Sequence, residues 1–345
     1  MKKVLIYRIG EIGDSIVAIP TLKAIIDEFN LKKCEVHFLK KSGQKITLLD
    51  FIYDEIKIKK TFEIGPDENL INYYKKIINF RKEKYKYLFY LQPKRNYKQI
   101  LRDKIFFNFC NIEKKIGLSF KNQKPKLENK KSLEFEHESK RLYRLLFNQE
   151  IDENYLKKNY FLKYKKNYYI KKKININKNL FNIGVSLFSK NLVKNWSLNY
   201  WSNLLRSIQK KFPNSYFYFF GSKEDFIQTD IFLKNNKSLK SKNICGLYSI
   251  KNDIFLISKM KYFIGVDSGN SHIASILKIP TLVIMCSATL KGHWSPLNSI
   301  TMNTTCDCQG KGFELCKLNQ RKCISSLYPS LVLEKFIYSN GLRNF

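Results

Sequence analysis

Residues 264–272 read Ile-Gly-Val-Asp-Ser-Gly-Asn-Ser-His. An apolar run ends at Val266, small residues follow, and a helical pattern continues through Ile273–Leu277 before Pro280. A strand that passes through a short turn into a helix is typical of α/β folds with parallel sheets. Backbone N–H groups at such a helix start can bind a phosphate or diphosphate. The stretch therefore predicts an anion site at the carboxyl end of the strand Tyr262–Val266.

Two side chains of this stretch are candidate ligand contacts. Asp267 can accept hydrogen bonds from a substrate hydroxyl, and His272 can donate to a phosphate oxygen. The structural alternative is that Asp267 or Ser268 caps the helix and His272 is a hydrogen-bonded core residue. An Asp, several small residues and a His together at a strand–helix junction indicate an anion site more specifically than any one of these residues does.

Strand-like runs alternate with helical patterns on both sides of this stretch, which predicts an α/β fold. A Lys-, Tyr- and Asn-rich stretch at about 155–180 separates two such series, so we expect two doubly wound domains with mostly parallel sheets facing a cleft. Ligands of such sheets bind beyond the carboxyl ends of the strands. The predicted strands are Val4–Tyr7, Glu35–Leu39, Tyr87–Leu91, Lys115–Leu118, Asn182–Leu187, Tyr216–Phe220, Tyr262–Val266 and Thr281–Met285.

A glycine loop follows the first predicted strand, in the sequence Arg8-Ile9-Gly10-Glu11-Ile12-Gly13-Asp14. Gly10 and Gly13 permit a tight turn, and Asp14 opens a helical segment that extends to about Phe29. The loop is not G-x-G-x-x-G, which argues against a dinucleotide oxidoreductase. Asp14 is either a catalytic carboxylate or the cap of its helix.

A lysine and two tryptophans follow the strand Asn182–Leu187. We expect Trp196 and Trp201 to pack the next helix, with Ser197 as its N-cap. Lys194 ends the loop after the strand, where an anion would lie. In a chain with 54 lysines, a solvated lysine is the strong alternative.

The composition indicates a folded protein with a basic surface. The 345 residues carry a net charge of +34, yet 44% are hydrophobic, which excludes a disordered chain. Only nine of the 63 basic residues are arginines, the residues that bind phosphates with two hydrogen bonds. The charge therefore indicates a lysine-rich composition more than a surface specialised for binding phosphates. The sequence has no recognisable nucleic-acid-binding module, and we expect no nucleic-acid partner.

The first residues do not have the pattern of a signal peptide, and we expect neither a leader nor a membrane-spanning segment. The first apolar run breaks at Arg8, and Glu11 and Asp14 follow, so no apolar core of a leader forms. We expect a cytoplasmic protein whose basic surface permits peripheral contact with an anionic leaflet.

Together these motifs resemble glycosyltransferase family 9, the heptosyltransferase family of lipopolysaccharide inner-core assembly. The resemblance implies a GT-B fold, with an acceptor-side domain at 1–165, a donor domain at 180–325 and a closing helix at 326–345 that packs back toward the first domain. Asn270 stands where the family usually has Leu or Met. The matching residues are Gly13, Asp14, Pro20, Lys194, Trp196, Trp201, Gly221, Glu224, Asp267, Ser268, Gly269, His272 and Pro280.

The resemblance implies an inverting, metal-independent transfer from a nucleotide sugar, typically ADP-heptose, to an anionic glycolipid, with no cofactor. Asp14 would deprotonate the acceptor hydroxyl. Lys194 and the amides of Ser268 and Gly269 would stabilise the leaving diphosphate. Lys94 and Arg95, beyond the strand Tyr87–Leu91, are candidates for the acceptor's anionic groups. The implied donor-binding residues are Gly13, Lys194, Glu224, Asp267, Ser268, Gly269 and His272.

Four cysteines cluster near the end of the chain, at Cys306, Cys308, Cys316 and Cys323. Their number suggests a structural zinc site, but the spacing is not that of a standard zinc ribbon. Free or redox-active thiols are the favoured interpretation. The other four, Cys34, Cys110, Cys245 and Cys286, are expected to be small buried residues.

Three other functions remain open at this stage. The same fold can use another nucleotide-sugar donor, because the contacts that recognise the sugar lie in poorly matched loops. A basic polyanion-binding protein is a different class, and it predicts binding that weakens steeply with salt. An inactive scaffold is disfavoured, because Asp14, Lys194, Asp267 and His272 are all present.

Overall fold

The computed structural model describes residues 1–52, 55–65, 70–162, 174, 176–318 and 321–339. The chain divides into two compact units, residues 1–163 and residues 164–345. This division falls inside the Lys-, Tyr- and Asn-rich stretch that separates the two predicted series of strands and helices. Residues 163–173 and 175 of that stretch lie outside the described residues.

The first unit is built on a five-stranded parallel sheet with the order β3-β2-β1-β4-β5. The central strand β1 has four consecutive buried residues, which is expected of a strand covered on both faces. A short antiparallel pair, β6 and β7, lies outside this sheet. The strands are β1 (Lys3–Tyr7), β2 (Glu35–Lys41), β3 (Ile58–Ile64), β4 (Tyr87–Tyr90), β5 (Lys114–Ile116), β6 (Leu127–Asn129) and β7 (Glu134–Phe135).

The helical segment predicted from Asp14 to Phe29 is two helices. The first ends at Val17 and the second begins at Ile19, with Pro20 in its first turn. Proline has no N–H to donate to the preceding turn, so a helix start suits it better than a helix interior. The helices of this unit are α1 (Ile12–Val17), α2 (Ile19–Glu28), α3 (Leu49–Ile52), α4 (Leu70–Glu83), α5 (Tyr97–Phe109), α6 (Glu138–Phe147) and α7 (Glu153–Asn159).

The second unit has a six-stranded parallel sheet with the order β10-β9-β8-β11-β12-β13. Its strands are β8 (Phe181–Ser186), β9 (Ser215–Phe219), β10 (Ser241–Asn243), β11 (Tyr262–Val266), β12 (Thr281–Ile284) and β13 (Ile300–Met302). Its helices are α8 (Leu198–Lys211), α9 (Asp225–Lys234), α10 (Ile250–Ile257), α11 (Gly269–Ile276), α12 (Phe313–Leu318), α13 (Lys322–Ser325) and α14 (Pro329–Ser339).

The α/β fold with two doubly wound units is confirmed. In the two large sheets, the strands that the sequence pattern did not predict are β3, β10 and β13, and each lies at an edge of its sheet; the short pair β6 and β7 was not predicted either. An edge strand is covered less than a central one, so its sequence need not be apolar, and β3 in fact contains Lys59, Lys60 and Glu63. No helix among the described residues is both long enough and apolar enough to cross a bilayer.

The last helix, α14, packs on the core of the second unit. The ring of Phe336 is fully buried, with its centroid 4.7 Å from that of Tyr262, 6.0 Å from Phe212 and 6.4 Å from Phe181. Ser339 and Tyr262 also share a hydrogen bond of 2.6 Å between their hydroxyls. The expected packing of this helix toward the first domain stays a prediction.

Replacing Phe336 with Ala should lower the free energy of unfolding by about 3–5 kcal/mol, because truncating a buried aromatic ring leaves a cavity in the core. Tyr338→Ala on the same helix is the control, since that side chain is 55% exposed. Chemical denaturation of the full chain measures both. Equal losses in the two variants would contradict the described packing.

Candidate active site

The strand order of the second unit places the ends of β8 and β11 side by side. β9 and β10 extend from one side of this pair and β12 and β13 from the other, so the order of connections reverses between β8 and β11. Open α/β sheets bind ligands beyond the carboxyl ends of the strands at such a reversal. The hydroxyls of Ser186 and Ser268, one from each strand end, lie 3.1 Å apart.

The predicted helix start is present at this position. Ser268 occupies the N-cap position of α11 and Gly269 is its first residue. The Ser268 side chain makes no capping hydrogen bond, and the first amides of a helix have no preceding helical carbonyl to bond. Ser271 bonds back to the carbonyl of Val266 at 2.7 Å, and a Cβ on Gly265 would come within 2.7 Å of the Ser271 hydroxyl oxygen. The tight turn therefore depends on a glycine in β11.

Lys194, Asp267 and His272 come together beside this helix start. Lys194 Nζ lies 2.7 Å from Asp267 Oδ2, and His272 Nε2 lies 3.7 Å from Asp267 Oδ1. Asp267 and His272 are buried, whereas the Lys194 side chain is 20% exposed. Lys194 is therefore held by a buried carboxylate and is not a lysine in open solvent.

The pKa of the Asp267 carboxyl reflects two opposed effects. Burial alone would raise it, but the charge of Lys194 and the hydrogen bond and charge of His272 outweigh burial and lower the pKa to about 2. The carboxylate is ionised at neutral pH, accepts from Lys194 and faces the His272 ring. Asp267 therefore orients Lys194 and His272 instead of capping the helix.

The loop that carries Lys194 is anchored at both of its ends. A short 3-10 helix, Leu192–Lys194, starts at Asn191, whose side chain accepts from the Val193 amide at 3.1 Å. The Trp196 indole N–H donates to the Leu327 carbonyl at 3.0 Å. Trp196 and Trp201 are buried with their rings edge to face, 5.1 Å apart, as the sequence predicted. The loop position of Lys194 is thus set by tertiary contacts.

Glu224 lies at the end of the neighbouring strand β9, at the N-cap position of α9, and it is exposed. The capping contacts come from Asp225, whose carboxylate accepts from the Ser222 amide at 2.7 Å. The predicted ribose contact of Glu224 stays a prediction.

The first unit has the corresponding reversal between β1 and β4. Asp14 lies in α1, directly beyond the end of β1, and its side chain is 24% exposed. Asp14 Oδ2 accepts from the Glu11 amide at 2.8 Å, which is a capping contact, while Oδ1 lies 4.0 Å from the guanidinium of Arg8. Asp14 therefore caps its helix with one oxygen, as the structural alternative predicts, and its catalytic role stays a prediction.

The glycine loop around Asp14 requires Gly10. Its φ of +152° is disfavoured for other residues, and a Cβ at this position would lie 2.4 Å from the Cβ of Asp14. Its carbonyl accepts from Gln44 at 2.6 Å. Gly13 lies inside α1, next to Asp14.

Three arginines converge on the end of β4, a feature that the sequence did not reveal. Arg8 donates to the Leu91 carbonyl, Arg141 to the Gln92 carbonyl at 2.9 Å, and Arg95 to the Gln92 side chain at 2.9 Å. Burial lowers the pKa of Arg8 to about 10, opposed by Asp14 and Glu138, so Arg8 stays charged at neutral pH. We call Arg8, Gln92, Arg95 and Arg141 the arginine cluster.

The arginine cluster contains buried donors that no described residue satisfies. Arg8 Nε, Gln92 Nε2, Arg95 Nε and Arg141 Nη1 each have no hydrogen-bond partner within the described ranges. Arg8, Gln92 and Arg141 are at most 1% exposed. Unmet buried donors are rare in proteins and call for an explanation. The predicted acceptor residue Arg95 belongs to this cluster, whereas Lys94 is exposed beside it.

The cysteine cluster lies in the second unit. Cys306 and Cys308 are joined by a disulfide, and Cys316 and Cys323 are buried thiols. Of the four scattered cysteines, Cys110, Cys245 and Cys286 are buried as expected and Cys34 is only partly covered.

Comparison with known proteins connects this geometry to one family. The sequence model of glycosyltransferase family 9 (heptosyltransferase) matches residues 101–321. Lipooligosaccharide heptosyltransferase 2 of Campylobacter jejuni is 28% identical over 118 residues, which are 33% of this chain and 37% of the relative. The chain thus matches well under half the length of that relative.

Two solved structures resemble the whole chain. The family 9 glycosyltransferase of Veillonella parvula superposes with a TM-score of 0.70 at 12% identity, over 98% of this chain and 97% of the other. ADP-heptose LPS heptosyltransferase II of E. coli gives a TM-score of 0.59 at 14% identity, with all of both chains covered. The predicted GT-B fold is therefore confirmed. The family model spans well over half of the sequence, and the chain belongs to glycosyltransferase family 9, the heptosyltransferase family.

Proposed function

We propose that this protein transfers a heptose from ADP-heptose to the core of a lipopolysaccharide or a similar envelope glycolipid, with inversion at the anomeric carbon. Family membership supports glycosyl transfer, and the E. coli structure that shares the fold is named for ADP-heptose. The observation that carries the proposal is the set formed by Lys194, Asp267 and His272 beside the start of α11.

The second unit supplies the groups that stabilise the leaving nucleoside diphosphate. As the bond from the anomeric carbon to the diphosphate breaks, negative charge grows on the departing oxygen. Lys194 and the amides of Ser268 and Gly269 offer positive charge and donors there, and Asp267 keeps Lys194 oriented beforehand. His272 donates a further hydrogen bond, and Glu224 binds the ribose. The proposed stabilisation of the diphosphate uses no metal ion.

The first unit supplies the base and the acceptor contacts. Asp14 removes the proton from the acceptor hydroxyl as its oxygen attacks the anomeric carbon. The arginine cluster receives an anionic group of the acceptor, such as a phosphate or carboxylate, because it contains buried donors without partners and because Arg8 and Arg95 carry positive charge, whereas the charge of Arg141 is balanced by Glu138. Lys94 adds an exposed charge at the rim of that site. The net charge of +34 supports peripheral contact of the protein with the anionic cytoplasmic face of the membrane that holds the acceptor.

Calorimetry with a panel of donors tests the proposal as a whole. ADP-heptose should bind and other nucleotide sugars should bind more weakly. Tighter binding of a different nucleotide sugar would reassign the donor within the same fold. Binding of DNA alone, weakening steeply with salt, would reject the transferase proposal in favour of a polyanion-binding protein.

Replacing Asp14 with Asn should lower kcat by about 10²–10⁴-fold, because the amide cannot take the proton. Asn keeps an oxygen that can accept from the Glu11 amide, so the helix cap is preserved. Donor affinity should be unchanged. Asp27→Asn, an exposed change on α2, is the matched control. Near-normal turnover of the Asp14 variant would overturn the assignment of the base.

Replacing Arg95 with Gln should raise the KM for the glycolipid acceptor by roughly 10–100-fold, the effect of one lost hydrogen bond to a charged group. The KM for the donor should not change. Arg206→Gln, an exposed arginine of the second unit, is the control. Steady-state kinetics with each substrate varied separately measure both. An equal rise in both KM values would contradict an acceptor-specific role.

The pairing of Asp267 with Lys194 predicts a pH dependence of stability. The pKa of Asp267 in the folded protein, about 2, lies below its unfolded value of 3.8, so the carboxylate stabilises the fold above about pH 4. That contribution disappears as the pH falls toward 2. Between pH 5 and pH 2 the wild type should lose about 2 kcal/mol more unfolding free energy than Asp267→Asn. Denaturant titrations across this range measure it, and parallel profiles would show that the pair is not formed.

A further inference from the structure

We infer that Cys306, Cys308, Cys316 and Cys323 together form a binding site for one thiophilic divalent metal ion, zinc or iron, in the second unit. We call residues 303–318 and 321–327 the cysteine segment. The site is separate from the proposed transfer chemistry, and its role is structural.

The first observation is the convergence of the sulfur atoms. The Sγ atoms of Cys306, Cys308 and Cys323 all lie within 4.8 Å of one another. Cys316 is not part of that group of three and joins it only through Cys323, whose Sγ lies 3.7 Å from Cys316 Sγ. A tetrahedral site with metal–sulfur bonds of about 2.3 Å has sulfurs about 3.8 Å apart. The spacing of Cys316 and Cys323 matches one edge of such a tetrahedron.

The surroundings of the sulfurs are also those of a structural metal site. Cys308, Cys316 and Cys323 are at most 1% exposed, so the ion would be shielded from solvent. The Ser287 amide donates to Cys323 Sγ at 3.4 Å, the kind of hydrogen bond that supports a metal-bound thiolate. The carbonyls of Cys306 and Cys308 accept from Gln309 and Lys311, so each cysteine begins a turn.

The cysteine segment is held by hydrogen bonds, such as those from the Gly310 and Gly312 amides to the Ser287 and Ala288 carbonyls, and by its buried side chains, but it contains little regular structure. Between β13 and α14 its only described helices are α12 and α13, of six and four residues. The Cys306–Cys308 disulfide encloses a single residue, so it closes almost no loop and restrains the segment little. A shared metal ion would join Cys306 and Cys308 to Cys316 and Cys323 and so cross-link the whole segment.

Metal binding requires the Cys306–Cys308 pair in its reduced form. A dithiol reductant supplies two electrons and two protons, which break the S–S bond and give two thiols, while the reductant becomes a disulfide. The four thiols then release their protons as their sulfurs bind one divalent ion. The resulting site carries a net charge of about −2 in a strongly basic chain.

The cysteine segment also supports the loop that carries Lys194. The Phe313 ring centroid lies 5.4 Å from Lys194 Nζ, and Arg321 donates to the Leu192 carbonyl at 3.2 Å. We therefore expect loss of the metal to weaken diphosphate binding. This consequence rests on the proposed function, whereas the metal site itself does not.

The test is metal analysis of the full chain, purified without an affinity tag under a thiol reductant and without oxygen. We expect about one zinc or iron per chain, and either metal supports the site. Substitution with Co²⁺ should give the intense sulfur-to-metal absorption and tetrahedral visible bands of a four-thiolate centre. Two results would overturn the inference. One is metal-free protein in which the thiols of Cys306, Cys308, Cys316 and Cys323 all titrate, and the other is the absence of Co²⁺ absorption.

Variants separate this site from the donor site. Cys316→Ser and Cys323→Ser should each lower metal content by about tenfold, while Cys34→Ser in the first unit should keep it. If a variant fails to fold, wild-type protein from which a chelator has removed the metal takes its place. We expect this metal-free wild type to have a lower thermal stability than the metal-bound protein. ADP titration of that metal-free protein then tests the link to Lys194. Full metal content without ADP binding would reject the proposed function and leave the metal site standing.

Discussion

The parallel pairing of β8 with β11 is the constraint on which the second unit depends. Its register places Gly265 beside Ser186, so the loops that leave the two strands begin next to each other. Lys194 and Asp267, far apart in the sequence, meet there at 2.7 Å. Removing one member of a buried ion pair leaves the other charge uncompensated, so the loop, the helix start and the pair stabilise one another.

The same layout in the first unit carries different chemistry. The neighbouring ends of β1 and β4 place the Asp14 carboxylate 4.0 Å from the Arg8 guanidinium, while Arg95 and Arg141 bond to Gln92 beyond the end of β4. The second unit offers a lysine and helix amides instead. In the proposed function the first unit takes the proton and binds an anion of the acceptor, and the second receives the diphosphate. This proposed division would match the two substrates of a sugar transfer.

Sequence patterns were most informative where both faces of an element are buried. The central strands β1, β8 and β11 appear in the sequence as short apolar runs because each is covered on both sides. The edge strands β3, β10 and β13 were not predicted from the sequence and were identified only in the structure. Asp14, Lys194, Asp267 and His272 were candidates from their positions after strands. The rest of the arginine cluster was not, because its members are joined through Leu91 and Gln92, which no local pattern links to Arg141.

The sequence by itself determined the fold class, the two units and the strand ends at which chemistry is placed, since hydrophobic periodicity and strand–turn–helix junctions are local properties of the chain. Only the tertiary structure decided that Asp267 pairs with Lys194 instead of capping its helix, and that Arg8 and Arg141 converge on the end of β4. It also brought the sulfurs of Cys316 and Cys323 together. These outcomes depend on charge, burial and distance between segments that only the folded sheet brings into contact.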